Sequence, residues 1–309
     1  MSSIFNIKPV VPEGAKTISY SQLSMYTNCQ HAWKLRYIDK IRDDSPSIHL
    51  IFGTAMHEVL QEYLTVVYEQ TAKAGDTMDL SRLLYDKLVE QYKLALEKNN
   101  NIQFTNKTEL TEFHADGVAI IDYVRKHRSQ YFSTKQHKLL GVEIPLLCKI
   151  DGFNVYLMGF IDLVILDERD NTITVFDFKT STRGWMDKDK KDESKKSQLI
   201  IYKEYLSKQY ELPVDSIEVV FFILKRKLWE KSDFPQKRVQ LFKPPSGKLS
   251  RKKVNTKLLE FVEKAFTEDG QYRTDVEHYA IAGDADKNCK WCYFKDKHDL
   301  CPPANRCYF

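Results

Sequence analysis

Glycine and proline are scarce in this sequence, with 11 and 10 residues among 309. This scarcity argues against a collagen-like or low-complexity chain. No run of about 18 apolar residues is present, so we expect no membrane-spanning helix. The start of the chain, MSSIFNIKPVVPEG, lacks the basic stretch followed by an apolar stretch that marks a signal peptide. We therefore expect an intracellular, cytoplasmic protein whose cysteines are reduced.

A nucleotide-binding P-loop is also missing. The segment SGKLS has neither the first glycine nor the final hydroxyl residue of that motif, so we expect no built-in ATP motor. Charge of one sign does not dominate, since 47 Lys and Arg stand against 43 Asp and Glu and the net charge is +4. This mild basicity is compatible with a nucleic-acid partner but does not establish one.

Apolar residues make up 42% of the chain, enough for a substantial core in one large domain or two small ones. Ser19 or Ser21 is expected to cap the first helix, and Gly75 to end the second. Helical patterns cover residues 19–41, 52–75, 79–98, 108–132, 196–210 and 251–267. Strand patterns cover residues 138–150, 155–167, 172–180 and 216–224. This order predicts an α/β domain with a helical section over one side.

The stretch TVFDFKTS (174–181) reads as a strand with a carboxylate and an ammonium inside it. Successive strand residues face opposite sides, so Asp177 and Lys179 share one face. Phe176 and Phe178 face the other side, where we expect core. A buried strand that carries two charges on one face needs a chemical explanation.

The preceding strand supplies a second carboxylate, Asp162, and the turn DERDN joins the two strands as a hairpin. If the turn is centred between Arg169 and Asp170, Asp162 lies across from Asp177. A shift of one residue places Asp162 across from Lys179 instead. Both registers put the three side chains on one face, with opposed Cβ atoms about 5 Å apart.

Two carboxylates at this spacing repel each other and raise each other's pKa unless a cation lies between them. Oxygen ligands on strands suit Mg²⁺ or Mn²⁺, and a neighbouring lysine can hold a water or a developing oxyanion. The pattern therefore predicts a metal-dependent site that cuts phosphodiester bonds. An ordinary surface salt bridge on a half-exposed hairpin is the alternative.

Cysteines cluster near the C-terminus, in NCKWCYFKDKHDLCPPANRCYF, as Cys289, Cys292, Cys301 and Cys307. In a reducing compartment this spacing indicates structural Zn²⁺ or an iron–sulfur cluster, and the spacing alone does not choose. Cys148 lies in an apolar strand and is expected to be a buried hydrophobe.

Two charged stretches flank the central strands. Residues 187–197 have mixed signs and are predicted to form a solvated, mobile loop. The charged residues in 225–253 are mostly basic and suit phosphate neutralisation. Within them, Trp229 and Phe234 are candidates for stacking on exposed bases.

The segments GFIDLV and VFDFKTS together resemble the motifs of the PD-(D/E)xK nuclease superfamily. The whole chain is most similar to its RecB-type branch, which includes the AddB nuclease domain and CRISPR-associated iron–sulfur exonucleases. Four further segments resemble that branch in the expected order: SYSQLSMYTNCQHAWKLRYI, FGTAMHEVL, VEIPL and QLIIYKEYL. The C-terminal CKWC and CP complete the set.

The resemblance implies a role for each matching position. His57, Asp162, Asp177 and the backbone carbonyl of Phe178 would bind Mg²⁺ or Mn²⁺. Lys179 would activate or orient the attacking water. The other implied catalytic residues are Glu143, as an accessory acid, and Gln198 and Tyr202, which would contact phosphate or brace the lysine. Gly53 would leave room for its helix to pack against the site.

The resemblance also implies a [4Fe–4S] cluster on Cys29, Cys289, Cys292 and Cys301, with Cys307 as the alternative fourth ligand and Zn²⁺ as the alternative metal. It implies a restriction-endonuclease-like mixed sheet flanked by helices, in a single nuclease domain over residues 1–309. Within it we expect a helical section (19–135), a catalytic α/β core (138–267) and a cysteine-rich end (268–309) that pairs with Cys29.

The implied activity is a DNA exonuclease on single strands or duplex ends, in recombination, repair or phage DNA metabolism. A bacterial or phage-infected cell and a helicase or recombination protein as partner would fit this activity. The alternatives are an endonuclease or RNA-directed nuclease of the same fold, a non-catalytic DNA-binding protein with a relic fold, and a zinc-stabilised interaction module.

Overall fold

The computed structural model describes residue 5 and residues 9–41, 45–275 and 285–306. The strands are β1 (Lys16–Ile18), β2 (His137–Lys149), β3 (Val155–Asp167), β4 (Thr172–Ser181), β5 (Ile217–Lys225) and β6 (Val239–Phe242). The α-helices are α1 (Tyr20–Asn28), α2 (Gln30–Trp33), α3 (Ile48–Glu69), α4 (Ala72–Asp76), α5 (Leu80–Lys98), α6 (Lys107–Lys126), α7 (Arg128–Tyr131), α8 (Asp187–Lys191), α9 (Glu193–Tyr210), α10 (Lys248–Ala265) and α11 (Ala285–Asn288). In the described ranges, no helix has the length and apolar character that crossing a membrane requires.

The strands form a mixed sheet in the order β1-β3-β4-β5-β6, with β2 also paired to β3. Strand β4 is antiparallel to β3 and parallel to β5, and β6 is antiparallel to β5. The mixed sheet flanked by helices is the restriction-endonuclease-like architecture that the sequence predicts. Strand β6 lies inside the basic stretch 225–253 and was not predicted, because its four residues carry a weak strand pattern.

The first predicted helix is interrupted at Cys29. Ser19 caps α1 as expected, since its hydroxyl accepts from the Gln22 N–H. Cys29 then adopts an extended backbone, with φ −161° and ψ 108°, and its sulfur accepts from the Ala32 N–H at 3.4 Å. One predicted helix is therefore two, because Cys29 acts as the N-cap of α2.

The prediction that Gly75 ends the second helix is wrong. Helix α3 ends at Glu69, and α4 starts after Thr71, whose hydroxyl accepts from the Ala74 N–H at 2.9 Å. Gly75 lies within α4, and a Cβ there would come within 2.4 Å of Val67 Cγ2. Glycine at position 75 therefore permits α4 to pack closely on α3 and does not end a helix.

The prediction of a mobile loop over residues 187–197 is also wrong. This segment forms α8 and the start of α9. Asp192 caps α9 by accepting from the Ser194 N–H, and Lys195 pairs with Asp189 at 2.6 Å. The mixed signs that indicated a solvated loop instead support short-range pairs on helices.

The chain divides into two compact units. The first comprises residues 1–7, 44–145 and 160–246. Its core joins α3, α5 and α6 to the sheet face that carries Phe176 and Phe178. Apolar burial on this face holds β4 firmly in place and leaves the opposite face for Asp177 and Lys179.

The second unit comprises residues 8–43, 146–159 and 247–309. Its buried Trp33 packs edge-on against Tyr26 and Phe261. A separate small cluster of buried residues consists of Ala32, Leu35, Phe294 and Cys301. The single-domain organisation expected from the sequence stays a prediction.

Candidate active site

The site is built where β3 and β4 part. The hairpin pairs Leu163 with Phe176, which is the register centred between Arg169 and Asp170. Beyond this last backbone pair, the Phe178 N–H donates to the Asp162 carboxylate at 2.6 Å. A side-chain oxygen thus occupies the place of a backbone acceptor and fixes Asp162 beside β4.

Asp177 is buried, with 3% of its surface exposed. Its Oδ2 lies 2.7 Å from Nζ of Lys179, in an ion pair that lacks hydrogen-bond geometry. Burial raises the pKa of Asp177 to about 6, with the Lys179 ammonium opposing the rise and the Asp162 carboxylate adding to it. This burial excludes the alternative of an ordinary surface salt bridge.

Helix α9 contacts the lysine from the other side. Nζ of Lys179 donates to Gln198 Oε1 at 3.1 Å, and Gln198 Nε2 donates to the Tyr202 hydroxyl at 3.1 Å. Burial raises the pKa of Tyr202, so this hydroxyl stays protonated at neutral pH. Gln198 contacts the lysine directly and Tyr202 contacts Gln198, and the roles of both residues stay predictions.

Helix α3 brings His57 to the same place. Nδ1 of His57 lies 3.6 Å from Oδ2 of Asp162, and its ring meets Phe178 edge-on. Burial lowers the pKa of His57, but the Asp162 carboxylate outweighs burial and the net shift is upward. A Cβ at Gly53 would meet Thr180 Oγ1 at 3.3 Å, which agrees with the expectation that this glycine permits close packing.

Strand β2 supplies Glu143, which has a left-handed backbone with φ 49°. A non-glycine residue rarely adopts this conformation within a strand, and it re-aims the side chain. Glu143 is exposed overall, but partial burial of its carboxyl group raises its pKa, and the hydrogen bond from Gln61 opposes the rise.

Gln61 is the site residue that the sequence analysis missed. It is 7% exposed, and its Nε2 donates to Glu143 Oε1 at 2.6 Å and to the Asp162 carbonyl at 3.3 Å. Gln61 follows His57 by four residues on α3, so the two share a helix face. That spacing was the signal that could have indicated it.

Five of these residues, His57, Gln61, Glu143, Phe178 and Lys179, help to line a cavity of about 580 Å³; Asp162 and Asp177 are not among its lining residues. This volume suits a small-molecule or nucleotide-sized group. Carboxylates, an imidazole and a nearby backbone carbonyl have the donor chemistry that Mg²⁺ and Mn²⁺ accept. As they stand, no three His, Cys, Asp or Glu side chains in the described part of the chain converge closely enough to hold an ion.

The comparison with protein families decides the classification. A sequence profile of the PD-(D/E)XK nuclease superfamily matches residues 17–302. The chain belongs to this superfamily. Comparison with curated proteins gives no match. PD-(D/E)XK nucleases typically use Mg²⁺ or Mn²⁺, and a nuclease of this family acts on DNA.

In this PD-(D/E)XK nuclease, Cys29, Cys289, Cys292 and Cys301 lie in the second unit. One small cavity is lined by Cys29, Cys289, Cys292 and Cys301. Hydrogen bonds from His31 to the Leu300 carbonyl (2.7 Å) and from Asn288 to the Asn28 carbonyl (3.2 Å) hold the two segments together. The structure thus brings together the four cysteines that the resemblance implies.

Burial raises the pKa of Cys29. Cys307 lies outside the described residues. Cys148 is buried, as expected for a small hydrophobe. The four cavity cysteines fit a thiolate-bound group by type, although they do not form a metal site as they stand among the described residues.

Proposed function

We propose that this chain is a metal-dependent DNA exonuclease of the RecB-type branch that acts on single strands or duplex ends. The observation that carries the proposal is the buried Asp177, ion-paired at 2.7 Å to Lys179, which lines a cavity wide enough for a nucleotide. A buried carboxylate with a raised pKa, in a cleft, is typical of a reactive site rather than of a structural salt bridge.

The proposed roles follow from these contacts. Asp162, Asp177, His57 and the Phe178 carbonyl would hold Mg²⁺ or Mn²⁺. When bound, such an ion would supply positive charge near the phosphate. Lys179 orients the attacking water and donates to the oxygen on which negative charge develops. Gln198 limits the positions that the long lysine side chain can take, and Glu143 is the accessory acid.

An aromatic surface supports a single-stranded substrate. Trp229 is 56% exposed, and the guanidinium of Arg183 lies over its ring at 4.5 Å. Gln236 clamps the Trp229 backbone by accepting from its N–H at 2.8 Å and donating to its carbonyl at 2.6 Å. An exposed aromatic ring held in place, with a cation over one face, suits an unpaired base and its phosphate.

The basic loop that carries Trp229 is anchored at its base. Arg226 pairs with Asp116 at 2.8 Å and Lys227 pairs with Glu112 at 2.8 Å, both on α6. These two cations were predicted as phosphate contacts. Their charge is offset by α6, so they hold the loop and leave Arg183 and the more distal basic residues to meet phosphate.

The digestion of DNA with free and closed ends tests the function. With Mn²⁺ present, we expect the protein to degrade end-labelled single-stranded DNA and to leave covalently closed circular single strands intact. Cleavage of the circles would show an endonuclease, and preference for RNA of the same sequence would show an RNA-directed enzyme. Absence of cleavage on every substrate would favour the relic, DNA-binding alternative.

Replacement of the exposed tryptophan tests the single-strand surface. We expect Trp229→Ala to weaken single-stranded DNA binding about 10-fold, since stacking contributes about 1–3 kcal/mol per base, and Trp229→Phe to retain most of it. Fluorescence anisotropy with a labelled oligonucleotide and EDTA measures binding without cleavage. Tyr85→Ala is the matched control, because Tyr85 is 49% exposed and lies under Arg82 on α5. Equal affinities for wild type and Trp229→Ala would contradict the assignment.

The four cavity cysteines are proposed to hold a [4Fe–4S] cluster, with Zn²⁺ as the alternative. Such a cluster would stabilise the fold rather than take part in hydrolysis. Work in recombination, repair or phage DNA metabolism, with a helicase or recombination protein as partner, is the role that we infer for this activity.

A further inference from the structure

Gln61 is a buried amide in a helix that otherwise presents apolar residues to the core. The residues near it along α3 include the buried Val59, Leu60 and Leu64. An amide at such a position lowers stability unless its polar atoms are hydrogen-bonded. Both hydrogen bonds that Nε2 of Gln61 donates go to the candidate active site, to Glu143 and to the Asp162 carbonyl.

The partner of Gln61 needs external support. Glu143 has a φ of 49°, a backbone conformation that costs an L-residue free energy and persists only where surrounding contacts hold it. The 2.6 Å hydrogen bond from Gln61 is such a contact, and it comes from α3, 82 residues away in sequence. A single nitrogen thereby links Glu143 on β2 to Asp162 on β3.

The chemistry of the amide matters for this link. A lysine or arginine at this position would also reach Glu143, but it would neutralise the carboxylate. A neutral amide donates a hydrogen bond and leaves the negative charge in place, so the carboxylate stays available to a cation or to its bound water.

We propose that Gln61 is a positioning residue that holds Glu143 against the Asp162 strand, so that Glu143 contributes its charge to the divalent-ion site. This inference rests on the proposed function and goes beyond it, because it assigns a role to a residue outside the motif segments. Gln61 acts through Glu143 and is not a ligand.

Mn²⁺ binding in the absence of DNA tests the inference. We expect Gln61→Met, which keeps the size of the side chain and removes its donor, to weaken Mn²⁺ binding about 10-fold or more, as is typical when a residue that supports a ligand is lost. Electron paramagnetic resonance of free Mn²⁺ measures this affinity. Gln91→Met is the matched control, because Gln91 donates to Glu58 at 2.8 Å on the same helix bundle. We expect it to bind Mn²⁺ like the wild type.

A double-mutant comparison separates positioning from general support of the fold. If Gln61 acts through Glu143, then Gln61→Met changes Mn²⁺ affinity by less than about two-fold once Glu143→Gln is present. The inference would be overturned if the fold-losses in Mn²⁺ affinity of the two single variants multiply in the double variant. It would also be overturned if Gln61→Met alone binds Mn²⁺ like the wild type. If Gln61→Met fails to fold, Gln61→Asn serves the same test. It keeps a polar amide in the core, but its shorter side chain no longer reaches Glu143, so we expect the same loss of Mn²⁺ affinity.

The Mn²⁺-binding experiment and the digestion assay can contradict the two proposals independently. If the proposed function is wrong, the wild-type protein does not cleave DNA, whatever its Mn²⁺ affinity. If only the inference about Gln61 is wrong, the wild-type protein still cuts DNA and the contradiction appears in the Mn²⁺ affinity of Gln61→Met.

Discussion

Asp177→Asn and Lys179→Met should each lower the rate of DNA cleavage by about 10³-fold or more. Asparagine keeps the shape of Asp177 but removes the charge that a divalent ion needs. Methionine keeps the length of Lys179 but removes the donor that faces Asp177 at 2.7 Å and Gln198 at 3.1 Å. Initial rates on end-labelled single-stranded DNA with saturating Mn²⁺ measure both effects.

A second carboxylate–lysine pair on the same sheet provides the control. Glu218 on β5 pairs with Lys243 at 2.5 Å, and both side chains are exposed. Exposed pairs contribute about 0–1 kcal/mol, so we expect Glu218→Gln and Lys243→Met to leave both stability and cleavage rate unchanged. Wild-type rates in Asp177→Asn would refute the hydrolytic assignment.

The same substitution has a pH-dependent effect on the metal-free protein. The pKa of Asp177 is about 6 in the folded state against an ordinary value of 3.8, so the folded state binds this proton more tightly than the unfolded state. Protonated Asp177 therefore adds to the free energy of unfolding at low pH, and this contribution is lost as pH rises through about 6. Urea denaturation in EDTA across this window should show a decline in the wild type that Asp177→Asn lacks. An identical pH dependence in both proteins would contradict the raised pKa.

Under the proposed [4Fe–4S] assignment, Cys29→Ser should remove most of the iron and destabilise the part of the second unit that surrounds the cysteines. Among the residues that the structure describes, few buried side chains pack with the cysteines, namely Ala32, Leu35 and Phe294 around the buried Cys301. So small a cluster contributes little hydrophobic free energy, and a bound metal group would supply much of the local stability. Anaerobically purified wild type should be brown, with absorbance at about 400 nm typical of such clusters. Iron analysis and thermal unfolding measure the loss in the variant.

Cys148→Ser is the control for this variant, because Cys148 is buried on β2 and is not among the residues that line the cysteine cavity. We expect it to keep its iron. Zinc in place of iron in the wild type would establish the alternative metal. Full iron content in Cys29→Ser would instead indicate that the C-terminal cysteines, with Cys307, suffice.

The motif strands were predictable because strand alternation is a local property. Any extended chain puts Asp177 and Lys179 on one side and Phe176 and Phe178 on the other, and the apolar pair accordingly lies in the core. The hairpin register was narrowed to two choices, and the structure selected the one centred between Arg169 and Asp170. Turn chemistry alone could not select it, since both registers bury the same residues.

Helix boundaries were less predictable because they depend on side chains that bind backbone groups. Cys29 looks helical by pattern, yet its sulfur caps α2 and divides the helix. Gly75 looks like a terminator, yet contact with Val67 explains it. In both cases a neighbour in three dimensions outweighs local propensity.

By itself, the sequence determined that Asp177 and Lys179 lie on one side of their strand and Phe176 and Phe178 on the other, because strand alternation depends on near-neighbour spacing alone. The mixed sheet was implied by the family resemblance and is confirmed. Only the tertiary structure decided that Asp177 is buried, that Glu143 has a left-handed backbone and that Gln61 contacts it. Burial and long-range hydrogen bonds depend on elements that are far apart in the chain. The pKa values and the support of the site follow from that packing rather than from the order of residues.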